Sequence, residues 1–389
     1  MTAVLQNYTL VSAVGCGRRT HSEALQAGRS GLRRNDFPGC TLDTWIGRVP
    51  ELDHYALGDD HVQWQSRNNA LAALTLEQDG LRESVQQAAD MLGADRIGVV
   101  LGTSTSSIGE TEEAYQHLQD EQMPADHRRR EIHHLHSTTD FVAHWLDISG
   151  PTMTISTACS SSAKVFATAD RWLESGLVDA VLVGGVDTLC LTVLYGFNSL
   201  ELVSDDLCRP FDQRRKGINI GEAGGFALLR REGSGLARLL GYGESSDAYH
   251  MSHPHPEGRG ARQCMSQALK RASLNARDID YINLHGTASK ANDAIEAAAL
   301  GTLFSESTAA SSTKGWTGHT LGAAGIVEAL LALEALRGGF VPGPLNLEQP
   351  DELAFAIVRE TRPKELAYVM TNSFGFGGNN ASLVFGKCS

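Results

Sequence analysis

Short apolar runs recur along the chain between longer stretches of mixed polarity. Runs over residues 96–102, 152–157, 179–185, 279–284 and 367–371 have strand length and are rich in Val, Ile and Leu. Helical patterns follow several of them, over residues 163–175, 291–304 and 322–337, with Gly176 and Gly338 in place to cap two helix ends. Alternation of this kind predicts an α/β architecture. No Pro- or Ser-rich linker divides the chain. A faint internal repeat is present: Ser156–Ala163 and Ser312–Gly325 are both small-residue loops leading into a helix and then a glycine stop. It suggests a duplicated α/β unit, with halves spanning 1–240 and 241–389.

The chain has 389 residues, 42% hydrophobic and 20% charged, enough for two large layers or two fused halves around a packed core. No apolar run reaches 18 residues, and Met1–Asn7 lacks the basic and apolar regions of a signal peptide, so a cytoplasmic protein is expected. The net charge of −13 argues against nucleic acid as a partner. Seven scattered cysteines without CxxC spacing argue against disulfides and against a zinc site. His133–His136 and His253–His255 have no cysteine or carboxylate at matching spacing and are read as surface histidines, so no metal is expected.

Three places carry candidate chemistry. Cys159 follows an extended stretch and precedes Ser160-Ser-Ser-Ala163 at a helix start. Unpaired amides and the positive end of the helix dipole favour a thiolate there, ready to attack a carbonyl or thioester. A buried structural cysteine is the competing reading. His285 stands at the carboxyl end of a strand, where open α/β sheets bind ligands. Lys314-Gly-Trp-Thr-Gly-His319, followed by Glu328, adds a second histidine beside small residues that allow close substrate approach. Near the C-terminus, Asn372–Asn380 fails as a dinucleotide loop: Asn380 takes the third glycine position and no helix follows. It fits a hairpin that presents backbone N–H groups to an oxyanion.

Cys159 in STACSSS, Arg209–Asp212 with Gly221-Glu222, His285 in HGT, Lys314 and His319 in STKGWTGH, and the final NSFGFGG occur in one collinear order. This set resembles the β-ketoacyl-acyl-carrier-protein synthases, the decarboxylating condensing enzymes of the thiolase superfamily. The resemblance implies a thiolase-like fold of two duplicated halves in α-β-α-β-α layers. It implies Cys159 as acyl acceptor, His285 and His319 as hydrogen-bond donors to a malonyl thioester, and Lys314 with Glu328 as their electrostatic support. Backbone amides of Cys159 and Phe376 would form the oxyanion hole, and Phe197, Phe374 and Phe376 would gate and line the acyl pocket. Thr287 and Ser289 would bind the phosphopantetheine arm, so no separate cofactor is implied.

The partners implied are acyl- and malonyl-carrier proteins, and a dimer mate that is either identical or a related chain-length-determining subunit. Carrier proteins are acidic, so a local basic surface is needed; Arg67, Arg128, Arg129, Arg130 and the run from Arg214 to Lys216 are the candidates. The chain departs from the family at HGTAS for HGTGT, at Gly221-Glu-Ala223 for GEG, and at Gly377-Gly-Asn-Asn380 for GGTN. Ala288 and Asn379 thus add bulk or polarity near the site. These departures favour a specialised polyketide or aryl-polyene enzyme over housekeeping fatty-acid elongation. The competing functions are a non-elongating chain-length subunit and a thioester acyltransferase or hydrolase. Trp316 is read either as narrowing a substrate channel or as core.

Overall fold

Ten strands pair in one continuous mixed sheet in the computed structural model, which describes residues 3–351, 355 and 357–388. In chain order they are β1 (Ala3–Ser12), β2 (Ile97–Gly102), β3 (Thr152–Ile155), β4 (Ala180–Asp187), β5 (Ala223–Arg230), β6 (Ala237–Ser246), β7 (Tyr281–Asn283), β8 (Ala309–Ser311), β9 (Tyr368–Gly375) and β10 (Asn379–Gly386). Across the sheet the order is β3-β2-β4-β5-β1-β6-β10-β9-β7-β8, with the two-residue strand Gly15–Cys16 attached to β1. Read inward from either edge, the order is third, second, fourth, fifth, first. The three outer strands of each set run parallel and the inner pairings are antiparallel. The two sets meet at the antiparallel β1–β6 pairing. The faint sequence repeat is therefore a repeat of topology. Because β6 opens the second set, a division at 240/241 would cut through a strand.

Helices fill three layers around the sheet. We number six of them: α1 (Arg67–Leu76), α2 (Ser137–Trp145), α3 (Ser161–Glu174), α4 (Arg259–Ala272), α5 (Lys290–Gly301) and α6 (Ala324–Gly338). α3 and α6 pack on each other, and each touches strands from both sets, which places them in the central layer. α1 and α2 cover the outer face of the first set; α4, backed by α5, covers that of the second. The result is the expected α-β-α-β-α arrangement. Every residue of α6 from Ala324 to Leu336 is buried, which is why its sequence reads as an almost unbroken apolar run rather than an amphipathic one. Its contact with α3 is backbone-close: a Cβ on Gly325 would lie 2.4 Å from the Ala163 nitrogen.

The apolar runs located β2, β3, β4, β7 and β9 to within a few residues. The helix over 322–337 begins two residues later, and its left-handed cap is Gly339 (φ 66°), one position beyond the glycine expected. β9 continues past Thr371 through Asn372-Ser-Phe-Gly375, whose polar residues are buried in the β10 pairing. Four strands were not picked out: β1, β5 and β6 at the middle of the sheet and the three-residue edge strand β8. β5 holds Gly224 and Gly225, and a side chain there would strike Thr75 or Ile326.

Candidate active site

The loop into α3 makes a sharp turn at Ala158, which adopts a left-handed φ of 52° just before Cys159. Hydroxyls tie it down: Ser160 Oγ donates to the Thr157 carbonyl at 2.9 Å, and the Thr157 N–H donates to Ser161 Oγ at 2.8 Å. Cys159 itself is 5% exposed, with the backbone N–H groups of Phe376 and of Cys159 directed at its sulfur. Burial pushes the thiol up to about 11, while the Lys314 charge and the Phe376 N–H pull it back down. The thiolate expected from the helix terminus is thus not the resting form; desolvation outweighs the favourable groups.

His285 follows β7 and is fixed from two sides. Glu296, on α5, accepts the backbone N–H groups of His285 and Gly286 at 2.9 and 2.8 Å. On the ring side, the Lys314 ammonium donates to His285 Nδ1 at 3.2 Å and also contacts the His285 carbonyl and the Glu328 carboxylate. With Nδ1 accepting, the imidazole proton resides on Nε2.

His319 is held by a different set of groups to the same end. Its backbone pairs with the segment before β5, donating to the Asn219 carbonyl at 2.7 Å and accepting from Gly221 at 3.0 Å. The Leu321 N–H donates to His319 Nδ1 at 3.0 Å, again leaving Nε2 as the donor. Burial and the nearby Lys314 charge hold both imidazoles well below their ordinary value, so both are neutral near pH 7.

These segments, distant in sequence, converge: the Cys159 sulfur and the ligating nitrogens of His285 and His319 lie within 4.8 Å of one another. The two rings meet edge-on, centroids 5.6 Å apart, and Phe374 packs 5.9 Å from His285. No other group of three metal-ligating side chains is this close among the described residues, and the Lys314 ammonium beside it opposes a bound cation.

The three side chains open into a cavity of about 410 Å³. Its walls include Phe197, Phe374 and Phe376, together with Thr287, Ser289, Lys216 and Lys290. Phe197 stacks on Phe376 at 5.8 Å, so the two rings act as one wall. The cavity bears on three of the expectations. His253 is exposed, as its reading as a surface histidine expects, and it also lines the cavity. Trp316 does not line it, and of its two readings the core one holds: it is 1% exposed, donates to the Ala24 carbonyl at 3.1 Å and belongs to the central core. Of the expected docking arginines, Arg67 is committed elsewhere, pairing with Glu222 at 2.5 Å and Asp53 at 3.0 Å with its side chain 21% exposed. Arg129 donates to the Gln65 carbonyl and Arg214 pairs with Glu348, while Arg128 and Arg130 are exposed; none of these five arginines lines the cavity, but Lys216 of the same basic run does.

Several contributors escaped sequence reading. Glu296 was detectable as the lone acid within the run Ala294–Leu300, a signal of a buried partner. Asp293, which accepts the Thr287 and Phe211 N–H groups at 3.0 and 2.8 Å, lay unassigned inside the HGT motif region. Lys290 had no signal separating it from surface lysines.

Residues 68–234 match the β-ketoacyl synthase N-terminal domain, and residues 236–348 its C-terminal domain. The chain belongs to the β-ketoacyl synthase family. This synthase-family chain is 31% identical to the 3-oxoacyl-acyl-carrier-protein synthase 2 of Vibrio cholerae over 98% of both chains. It is 39% identical to the enzyme of that name from Rhizobium meliloti over 61% of each, so that match spans less than two thirds of the relative. Among solved structures, the ketosynthase ApeO in complex with its chain length factor ApeC, from Xenorhabdus doucetiae, matches with a TM-score of 0.90 and 38% identity, covering 100% of this chain and 98% of the other. No helix among the described residues is long and apolar enough to cross a membrane.

Proposed function

We propose that this chain is an elongating β-ketoacyl-acyl-carrier-protein synthase, an acyltransferase that extends a carrier-bound acyl chain by two carbons from malonyl-carrier protein. One observation carries the reading: a buried thiol beside two neutral imidazoles whose free N–H groups share its cavity. A hydrolase or simple acyltransferase needs one imidazole as a base and leaves the second without work. A non-elongating subunit has no use for the intact nucleophile.

In the first half-reaction the Cys159 sulfur, losing its proton, attacks the acyl thioester carbonyl. The carrier's thiol leaves, taking up a proton. The oxyanion formed on the way meets the N–H groups of Cys159 and Phe376, the same two that face the sulfur. In the second half-reaction malonyl carboxylate leaves as carbon dioxide, and the electron pair passes to an enolate. Its oxygen accepts from Nε2 of His285 and His319, which lose no proton and so need no basic pKa. The enolate carbon then attacks the Cys159 thioester, and the thiol is expelled and reprotonated. Lys314, anchored by Glu328, keeps His285 Nδ1 from taking the proton.

Thr287 and Ser289 stand on the cavity wall where the phosphopantetheine arm would enter, and Phe197, Phe374 and Phe376 where the acyl chain would pass. The reaction needs no further cofactor. Arg128, Arg130 and Lys216 remain candidates for carrier docking, joined by Lys290 at the cavity. The likeness to a ketosynthase in complex with its chain length factor supports a specialised pathway and a related subunit as dimer mate. We place the boundary between the halves ahead of Ala237, where β6 begins. Localisation in the cytoplasm belongs to the same proposal.

Acyl- and malonyl-carrier proteins incubated with the protein, with and without a related subunit, test the reading by intact mass. A two-carbon β-keto extension lost in Cys159→Ala and in His319→Ala supports it; release of free acid instead would assign hydrolysis.

A further inference from the structure

Asp187 ends β4 in the first half of the fold, is fully buried, and forms no ion pair with any described residue. Its carboxylate is nevertheless crowded with neutral donors. Thr103 Oγ1, Ser104 Oγ and Thr105 Oγ1 donate to it at 2.5, 2.7 and 2.7 Å, and the backbone N–H groups of Ser104 and Thr105 at 2.9 and 3.1 Å. All five lie on the loop after β2, beside the carboxylate's own strand. The sixth donor comes from the other half of the chain: the Gly322 N–H, at 2.6 Å.

Gly322 follows the residue that sets the His319 tautomer. Leu321 adopts a left-handed φ of 56°, a conformation that an unconstrained leucine avoids, and its N–H donates to His319 Nδ1. The bond to Asp187 fixes the next peptide. The approach is close enough to exclude a side chain, since a Cβ on Gly322 would lie 2.5 Å from the Ser104 nitrogen and 2.6 Å from Asp187 Oδ2.

We propose that Asp187 is the positioning residue for His319: by anchoring Gly322 it holds Leu321 in its strained conformation and so keeps the Nε2–H of His319 aimed at the enolate oxygen. The inference rests on the condensing reaction proposed above. It follows that the two half-reactions depend on Asp187 unequally. Acylation of Cys159 uses the Phe376 and Cys159 amides, which Asp187 does not touch. Decarboxylation uses His319.

The test compares Asp187→Asn and Gly322→Ala with the unaltered protein. The first removes an acceptor; the second crowds the loop away with the carboxylate intact. Acylation of Cys159 is followed by intact mass, malonyl-carrier decarboxylation by carbon dioxide release, and the His319 ring by nitrogen chemical shifts of 15N-histidine-labelled protein. Both variants are expected to acylate within about threefold of normal, to decarboxylate at least about tenfold more slowly, and to shift His319 away from a pure Nε2–H tautomer. Equal loss of both half-reactions with an unchanged tautomer would reduce Asp187 to a structural residue and overturn the inference, as would unchanged decarboxylation. If the unaltered protein acylates but does not decarboxylate malonyl-carrier protein, the reading of the reaction fails; the tautomer measurement still decides whether Asp187 sets the ring.

Discussion

Lys314 holds its ammonium 3.2 Å from Nδ1 of His285, and neither residue is more than 2% exposed. A buried ammonium is tolerable because Glu328, 3% exposed, pairs with it, and the pair stands or falls together. Lys314→Met is expected to lower stability by about 3 kcal/mol, because it leaves a carboxylate buried without its cation. Lys314→Met with Glu328→Leu should recover most of that loss and none of the decarboxylase activity. Urea unfolding beside the carbon dioxide assay separates the two effects.

The thiol of Cys159, raised to about 11, is mostly protonated at neutral pH. Alkylation by iodoacetamide should therefore accelerate about tenfold per pH unit from pH 6 to pH 9, with no plateau near 7. A plateau below pH 8 would show a pre-formed thiolate. Rates are read by mass at Cys159 with Cys159→Ala as the blank.

Burial raises the Glu296 carboxyl from 4.5 to about 7, above its value in the unfolded chain. Its contribution to stability is complete below pH 4.5 and is lost as pH rises through 7. Glu296→Gln mimics the protonated form at the cost of one backbone acceptor. The variant should be less stable than the parent at pH 5, and the gap should close by about 2–3 kcal/mol by pH 8. Urea midpoints at four pH values measure it; a gap that widens with pH has the wrong sign for this account.

Ala288 is fully buried with a left-handed φ of 66°, in a position that favours glycine. Ala288→Gly removes that strain and should stabilise the fold by about 0.5–1 kcal/mol, read as a rise in melting temperature. A fall would mean that the packing of its methyl against Leu32 and Cys208 outweighs the strain.

Arg67 is tied to Glu222, whose other hydrogen bonds hold the backbone at Val49 and Leu189. Arg67→Ala should cost about 3 kcal/mol of stability and leave KM for carrier-bound substrates unchanged in the folded fraction. A KM rise without a stability change would return it to the docking surface.

Sequence patterns show what alternates and what reacts, which is why β2, β4 and the Cys159, His285 and His319 loops could be read directly. β5 and β6 could not, because they carry Gly224, Gly225, Gly241 and Gly243 where α1, α6 and α4 pack close, and glycine erases the strand signature. Arg67 and Arg128 look alike in sequence, since a basic residue does not announce its partner; Glu222 lies 155 positions away from Arg67. The thiol's shift was missed for a related reason: the helix terminus is local, but the burial that overrides it comes from the whole core.

The Gly325–Ala163 contact makes the separation between sulfur and imidazole a matter of helix packing rather than of loop conformation. Cys159 precedes one central helix and His319 the other, and their backbones touch where neither can slide. The segments around Phe197, His253 and Lys290 sit outside that lock. The molecule is thus built like a vice with exchangeable jaws: the mouth can drift while the spacing between sulfur and imidazoles stays fixed.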